Sequence, residues 1–205
     1  MDKLLTVVIP SYNVEKFLNQ TLDSFICDEA VMKKFEVIVV DDGSKDNTAK
    51  IGKEYADKYP DTFRVISKEN GGHGSTINCG IRNAVGKYFK VVDGDDWVNT
   101  ADFVKLVEDL EKTESEYVFT NYYEYYDDVN RQKAVDFPQF KDGTEYDFAD
   151  VANKVYIPMH ALVIKTSVLK DNNIVIDEKC FYVDVEYVMR SEEHTSELQS
   201  RFDLV

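Results

Sequence analysis

The chain has 205 residues, 43% of them apolar, which suits one globular domain with a substantial core rather than a disordered segment. A formal net charge of −15 disfavours nucleic acid, whose binders carry basic stripes, and adsorption to anionic lipid. Cys27, Cys79 and Cys180 are odd in number and lack CxxC spacing, so free thiols are expected rather than a disulfide frame or zinc site.

Residues 4–10 form a β-rich apolar run, expected as a buried strand that begins without a signal peptide. Asn13 is placed to cap a helix over 14–26, with Phe17, Leu18, Leu22 and Phe25 on one face. A second strand is expected over 35–40, then a helix capped by Asp46 or Asn47 and ended by Pro60. A third strand over 63–67 leads into a glycine-rich loop, and Ser75 opens a helix to Ala84. A fourth strand over 88–92, a helix capped by Thr100 and a fifth strand over 117–125 follow. Strands alternating with helices predict an α/β domain, its mostly parallel central sheet flanked by helices. Residues 127–150 are polar, interrupted by Pro138 and Gly143, and expected to be loop-rich. Residues 160–165 are expected as a strand, with Thr166 capping a short helix. No apolar run is long enough to span a bilayer.

Four polar clusters follow predicted strands: Ser11-Tyr12-Asn13, Asp41-Asp42-Gly43-Ser44, Asn70 to Gly74, and Asp93 to Asp96. In a parallel sheet they share the rim beyond the carboxyl ends of the strands, where such sheets bind ligands. Asp93, Asp95 and Asp96 crowd negative charge there. They suit a hard divalent cation, Mg²⁺ or Mn²⁺, shared with phosphates, and equally suit an acidic turn. Tyr12 offers a ring to stack on a nucleobase, or covers the sheet edge. One carboxylate of Asp41 and Asp42 can accept a pyrimidine N3–H while the other serves the Gly43-Ser44 turn. Asn70-Gly71-Gly72-His73-Gly74-Ser75 precedes a helix, so its amides can approach an anion closely. His73 adds a donor there or is an ordinary loop histidine.

Taken in order, Val8-Ile9-Pro10-Ser11-Tyr12-Asn13, Val40-Asp41-Asp42-Gly43-Ser44-Lys45-Asp46-Asn47-Thr48, Glu69-Asn70-Gly71-Gly72 and Asp93-Gly94-Asp95-Asp96-Trp97 resemble family 2 glycosyltransferases. That family has the type-A nucleotide-sugar-binding fold. The resemblance covers roughly residues 5–190 and implies metal-assisted transfer of a sugar, with inversion. The donor would be a nucleotide diphosphate sugar, UDP-linked by default, and the acceptor a hydroxyl of a saccharide or lipid-linked molecule. Polysaccharide synthesis at the cytoplasmic side is the implied setting, with peripheral membrane contact left to a longer chain. By the same resemblance Pro10, Ser11, Tyr12, Asn13, Asp42, Asn70, Gly71 and Asp93 would hold the donor, and Asp95 and Asp96 the Mg²⁺ or Mn²⁺. Phe181-Tyr182-Val183-Asp184-Val185-Glu186 resembles the segment that supplies the catalytic base, which makes Asp184 the first candidate and Glu186 the second. His160 is expected either to touch the acceptor or to be structural.

Two departures stand out. Thr76-Ile77-Asn78 occupies the place of an Ala-Arg-Asn segment, so Ile77 stands where a cation is expected, and Val183-Asp184 replaces Glu-Asp. The expected organisation is a nucleotide-sugar-binding half over 1–126 and an acceptor-side, base-bearing portion of the same domain over 127–190. From Ser191 the chain resembles the translation of a sequencing-library adapter, so 191–205 is expected to be a non-native tail. Two other functions compete: a fragment that binds nucleotide sugar without turnover, and a sugar nucleotidyltransferase. The second would carry a glycine-rich, Arg/Lys-bearing loop where Ser11-Tyr12-Asn13-Val14-Glu15 stands.

Overall fold

A computed structural model describes residues 3–126, 131–141, 143–147 and 156–193, and the backbone of 199–202. Strands β1 (Leu5–Ser11) and β2 (Phe35–Asp41) are buried along their whole length, as the central strands of a sheet covered on both faces must be. With β3 (Phe63–Ser67), β4 (Tyr88–Val91), β5 (Tyr117–Phe119) and β9 (Leu162–Lys165) they form a six-stranded sheet in the order β3-β2-β1-β4-β9-β5. The β1–β2, β2–β3 and β1–β4 pairs are parallel, whereas β9 runs antiparallel to β4 and β5.

Side-chain alternation along the strands divides the core in two. Val8, Ile38 and Val40 face one layer, with Ile77, Cys79 and Ile81 of α4 (His73–Asn83), Val168 and Leu169 of α6 (Thr166–Asp171), and Tyr187 and Val188 of α7 (Val183–Glu193). Leu5, Val7, Ile9, Val37 and Val39 face the other, against Leu18 and Leu22 of α1 (Leu18–Asp23) and Phe103, Leu106 and Val107 of α5 (Thr100–Leu110). Each such fully buried side chain stabilises the fold by about 1.5–3 kcal/mol. Helix α3 (Thr48–Lys58) packs Gly52 against Val39 and Val65, and the short α2 (Glu29–Met32), absent from the sequence expectation, precedes β2.

The predicted helix over 14–26 starts only at Leu18, because Asn13 does not cap it. Asn13 sits at φ 56°, its Oδ1 accepts from the Lys45 amide at 2.7 Å, and its own amide donates to Ser44 Oγ. The amides of Val14 and Glu15 donate to Thr48 Oγ1 and Asp46 Oδ2. The loops leaving β1 and β2 are thereby stitched together, and the helix begins after those donors are satisfied. In α5 the capping oxygen is Asn99 Oδ1, not Thr100.

The predicted fifth strand divides. After β5 the Thr120 amide still donates to Ala161 O, but Asn121 Oδ1 accepts from Phe137 and turns the chain away. Strand β6 (Tyr122–Tyr126) then pairs antiparallel with β7 (Arg131–Val135), within the segment expected to be loop-rich. Residues 191–193 of the expected tail prolong α7, and β10 (Gln199–Phe202) pairs with β8 (Thr144–Asp147). Residues 194–198 and 203–205 of that tail lie outside the described residues, as do 127–130, 142 and 148–155.

Candidate active site

Because β1 to β4 are parallel, the four polar clusters share one rim; hydrogen bonds join the first three, and the fourth meets the third through Asp93 and His73. Asp42 is 2% exposed. Its Oδ1 accepts from Lys68 Nζ at 2.6 Å and from the Gly71 amide at 2.9 Å, and its Oδ2 from the Gly72 amide at 2.8 Å. Gly72 has φ 84°, a conformation that suits glycine. The residue expected to read a base thus anchors the glycine loop, and its carboxylate is turned inward. Asp41 Oδ1 accepts from the Ser44 amide, serving the turn. Asn70 is exposed, and its side-chain amide donates to Asp42 O.

Pro10 and Ser11 are buried, whereas Tyr12 (49% exposed) and Asn13 project from the rim. Gly94 lies so close beneath them that an added Cβ would sit 3.0 Å from Pro10 O, while Thr21 Oγ1 donates to Gly94 O at 3.0 Å. The loop after β4 is therefore seated against β1 and α1, with Asp95 and Asp96 exposed on it. Asp96 reaches solvent, yet the surrounding loop shields it from much of the water. That shielding, with the charges of Asp93 and Asp95, pushes its carboxyl up to about 6.

Asp93 meets His73, but Asp95 and Asp96 have no ion-pair partner among the described residues, and the donor set is hard oxygen. Among the described residues no three His, Cys, Asp or Glu side chains gather into a metal cage. Mg²⁺ and Mn²⁺ need no such cage where one or two carboxylates and substrate phosphates supply the ligands, so Asp95 and Asp96 fit that arrangement.

His73, the first residue of α4, places Nε2 3.0 Å from Asp93 Oδ1, an ion pair not lined up as a hydrogen bond. Burial opposes its charge, but Asp93, Asp184 and Asp95 outweigh burial and raise its pKa. Ile77, at the place of the expected cation, is fully buried in the core, and the basic side chains placed at this rim are instead Lys68, held by Asp42, and His73, against Asp93.

Asp93 and Asp184 line one cavity of about 380 Å³ with His73, His160, Tyr156 and Tyr182. Asp184 lies in the first turn of α7, exposed toward this space. Glu186 does not line it. Its carboxylate accepts from the Asp177 amide at 3.0 and 3.1 Å and pairs with Arg190, so the second candidate base is a structural clamp. The segment that carries the candidate base is docked on α4. The Lys179 amide donates to Gly71 O, and a Cβ on Gly74 would meet Asp177 O at 2.1 Å. Asn78 is buried, with Oδ1 accepting from Ile176 N and Nδ2 donating to Ile176 O, both at 2.8 Å. Asn78→Ala leaves both Ile176 groups unpaired and is expected to cost about 2–4 kcal/mol, read by urea unfolding.

Beneath the cavity, Lys90 is buried, and its Nζ donates to His160 O at 2.6 Å. Burial lowers its pKa from 10.5 to about 8. Between those two values the unfolded chain binds more protons, so this lysine makes stability rise with pH there. Relative to Lys90→Met, the wild type is expected to gain up to about 3 kcal/mol across that window, measured by denaturant unfolding at stepped pH. Burial, then the Lys90 charge, lowers the pKa of His160, whose ring meets Tyr122 edge-on at 4.5 Å.

The sequence had not singled out Lys68, Asn78 as a clamp, Lys90 or Tyr156. Their signal is spatial, since each acts on a partner at least 26 residues away or on the distant cavity.

A family model described as Glycosyl transferase family 2 matches residues 6–172. The uncharacterized glycosyltransferase EpsJ of Bacillus subtilis (strain 168) is 37% identical over 123 residues, covering 60% of this chain and 35% of the relative. The chain therefore spans about a third of that relative's length. S. aureus TarS 1-349 in complex with UDP-GlcNAc superimposes with a TM-score of 0.80 at 24% identity, over 98% of this chain and 56% of that one. The mannosyltransferase PcManGT from Pyrobaculum calidifontis, in complex with GDP-Man and Mn²⁺, gives 0.68 at 18% identity, over 100% and 55%.

Proposed function

The chain belongs to glycosyl transferase family 2 and has its type-A fold, and from that premise we propose that it transfers a sugar from a nucleotide diphosphate sugar to an acceptor hydroxyl with inversion. One observation carries the reading: Asp184 and Asp93, 91 residues apart in sequence, line the same cavity beside the acidic loop. A base on one side and a charge-handling rim on the other is the arrangement a single displacement at C1 requires.

Tyr12 offers its exposed ring to the base of the donor. Asp93 accepts hydroxyl protons of the donor's ribose, held in place by His73. Asp42 acts from below, fixing the Asn70–Gly72 loop whose backbone faces the donor. Asp95 and Asp96 would hold Mg²⁺ or Mn²⁺, and the chemistry such an ion supplies is neutralisation of the charge growing on the leaving diphosphate. Asp184 takes the proton of the acceptor hydroxyl as its oxygen bonds to C1. The C1–O bond to the β-phosphate breaks on the opposite face, and its electrons leave with the nucleoside diphosphate. UDP is the first donor to test, because the TarS structure holds UDP-GlcNAc. Saccharide or lipid-linked acceptors, polysaccharide synthesis and a cytoplasmic setting complete the proposal.

The test is incubation with a panel of nucleotide sugars and Mn²⁺. Release of nucleoside diphosphate coupled to a new glycosidic bond is expected. Pyrophosphate release from a sugar phosphate and a nucleoside triphosphate would instead identify a nucleotidyltransferase, and donor binding without turnover a non-catalytic module.

A further inference from the structure

Phe181 and Tyr182 are 91% and 81% exposed, and with Tyr156 (55% exposed) they line the cavity that Asp184 faces. Large rings displayed this openly, together, beside a reactive carboxylate call for an occupant. They are held in place. Tyr182 has φ 63°, a left-handed conformation uncommon for an aromatic residue, and its carbonyl accepts from the Glu186 amide. The preceding segment is tied down through Lys179 N to Gly71 O and Asp177 N to Glu186. A strained backbone that presents a ring to solvent is a cost to the free protein, offset where the ring meets a ligand.

The charges select the ligand. Asp93 and Asp184 line the cavity, His73 beside them is taken up by Asp93, and no lysine or arginine lines it among the described residues, so the lining keeps an excess of carboxylate. Carboxylates and phenol oxygens accept hydroxyl protons, aromatic faces receive the C–H face of a sugar ring, and an anionic acceptor meets like charge. The volume, about 380 Å³, is at the lower end of ligand pockets, which run from about 300 to 1,000 Å³.

We propose that Phe181, Tyr182 and Tyr156 form the acceptor platform of this site, and that the acceptor is an uncharged saccharide whose terminal ring lies on these aromatics with a hydroxyl toward Asp184. The assignment rests on the transferase reading and names the acceptor class within it.

The experiment uses the whole chain on an array of immobilised neutral oligosaccharides and anionic polymers, including polyol phosphates, with and without UDP and Mn²⁺. A thermal shift with UDP and Mn²⁺ is measured in parallel. Neutral glycans are expected to bind best. The double variant Phe181→Ala, Tyr182→Asn, whose asparagine tolerates the left-handed backbone, is expected to lose glycan binding roughly tenfold or more while keeping the UDP shift, on the scale of one or more lost ring contacts. Preference for the anionic polymers, glycan binding unchanged in the variant, or no glycan binding at all overturns the platform. Neutral-glycan binding lost in the variant, but with no shift from UDP or any other nucleoside diphosphate in either protein, sustains the saccharide surface and removes the transferase reading instead.

Discussion

Asp184→Asn is expected to lower sugar transfer by about 10²–10⁴-fold, the range that a positioned general base contributes, with donor affinity unchanged. Asparagine keeps the shape and polarity of the side chain but cannot take the acceptor's proton. Asp184 makes no ion pair among the described residues and faces the cavity from the first turn of α7, so the substitution disturbs little else. Glu186→Gln supplies the contrast. That carboxylate clamps the Asp177 amide and Arg190, so its loss should loosen the segment and lower stability while most of the turnover survives. Rates in saturating donor, with donor affinity taken from nucleotide titration, separate the two. Equal losses in both variants would return Glu186 to the chemistry.

Asp95→Asn and Asp96→Asn are each expected to lower turnover by about 10²–10³-fold, the scale on which a preorganised electrostatic group acts. Removing one negative charge from the acidic loop reduces its hold on Mg²⁺ or Mn²⁺, so the concentration of ion needed for half-maximal rate should rise as well. Chelation of the wild type should reproduce the loss. A second readout moves the other way. Asp96 is pushed up to about 6 by shielding from water and by Asp93 and Asp95, so the ionised folded chain carries repulsion at neutral pH. In metal-free buffer Asp96→Asn is therefore expected to melt at a higher temperature than the wild type, while being less active. A variant both destabilised and inactive would mean that the loop, not its charge, had been damaged.

The sheet was legible because its strands are dense in β-branched residues and buried on both faces, as in Val37–Asp41, where period and composition agree. The shared rim followed from parallel order alone. What failed was local: Asn13 reads as a helix cap in isolation, but a neighbouring loop 32 residues away takes its oxygen. Asp42 had the composition of a ligand-reading residue, and only the fold shows its oxygens given to Lys68 and two glycine amides. Glu186 and Asp184 are two residues apart and chemically alike. Their separation into clamp and cavity wall depends on where α7 packs, which no spacing rule encodes. Tyr182 belongs to the same class, because its exposure and backbone conformation are properties of the docked segment rather than of the letters.

The most direct test is a crystal soaked with manganese and UDP, with data collected at the manganese edge. An anomalous peak within coordinating distance of Asp95 or Asp96 and of the diphosphate, with the uracil beside Tyr12, is the predicted result. Diphosphate bound elsewhere on the sheet, or bound at this rim with no manganese between it and those carboxylates, would contradict the account.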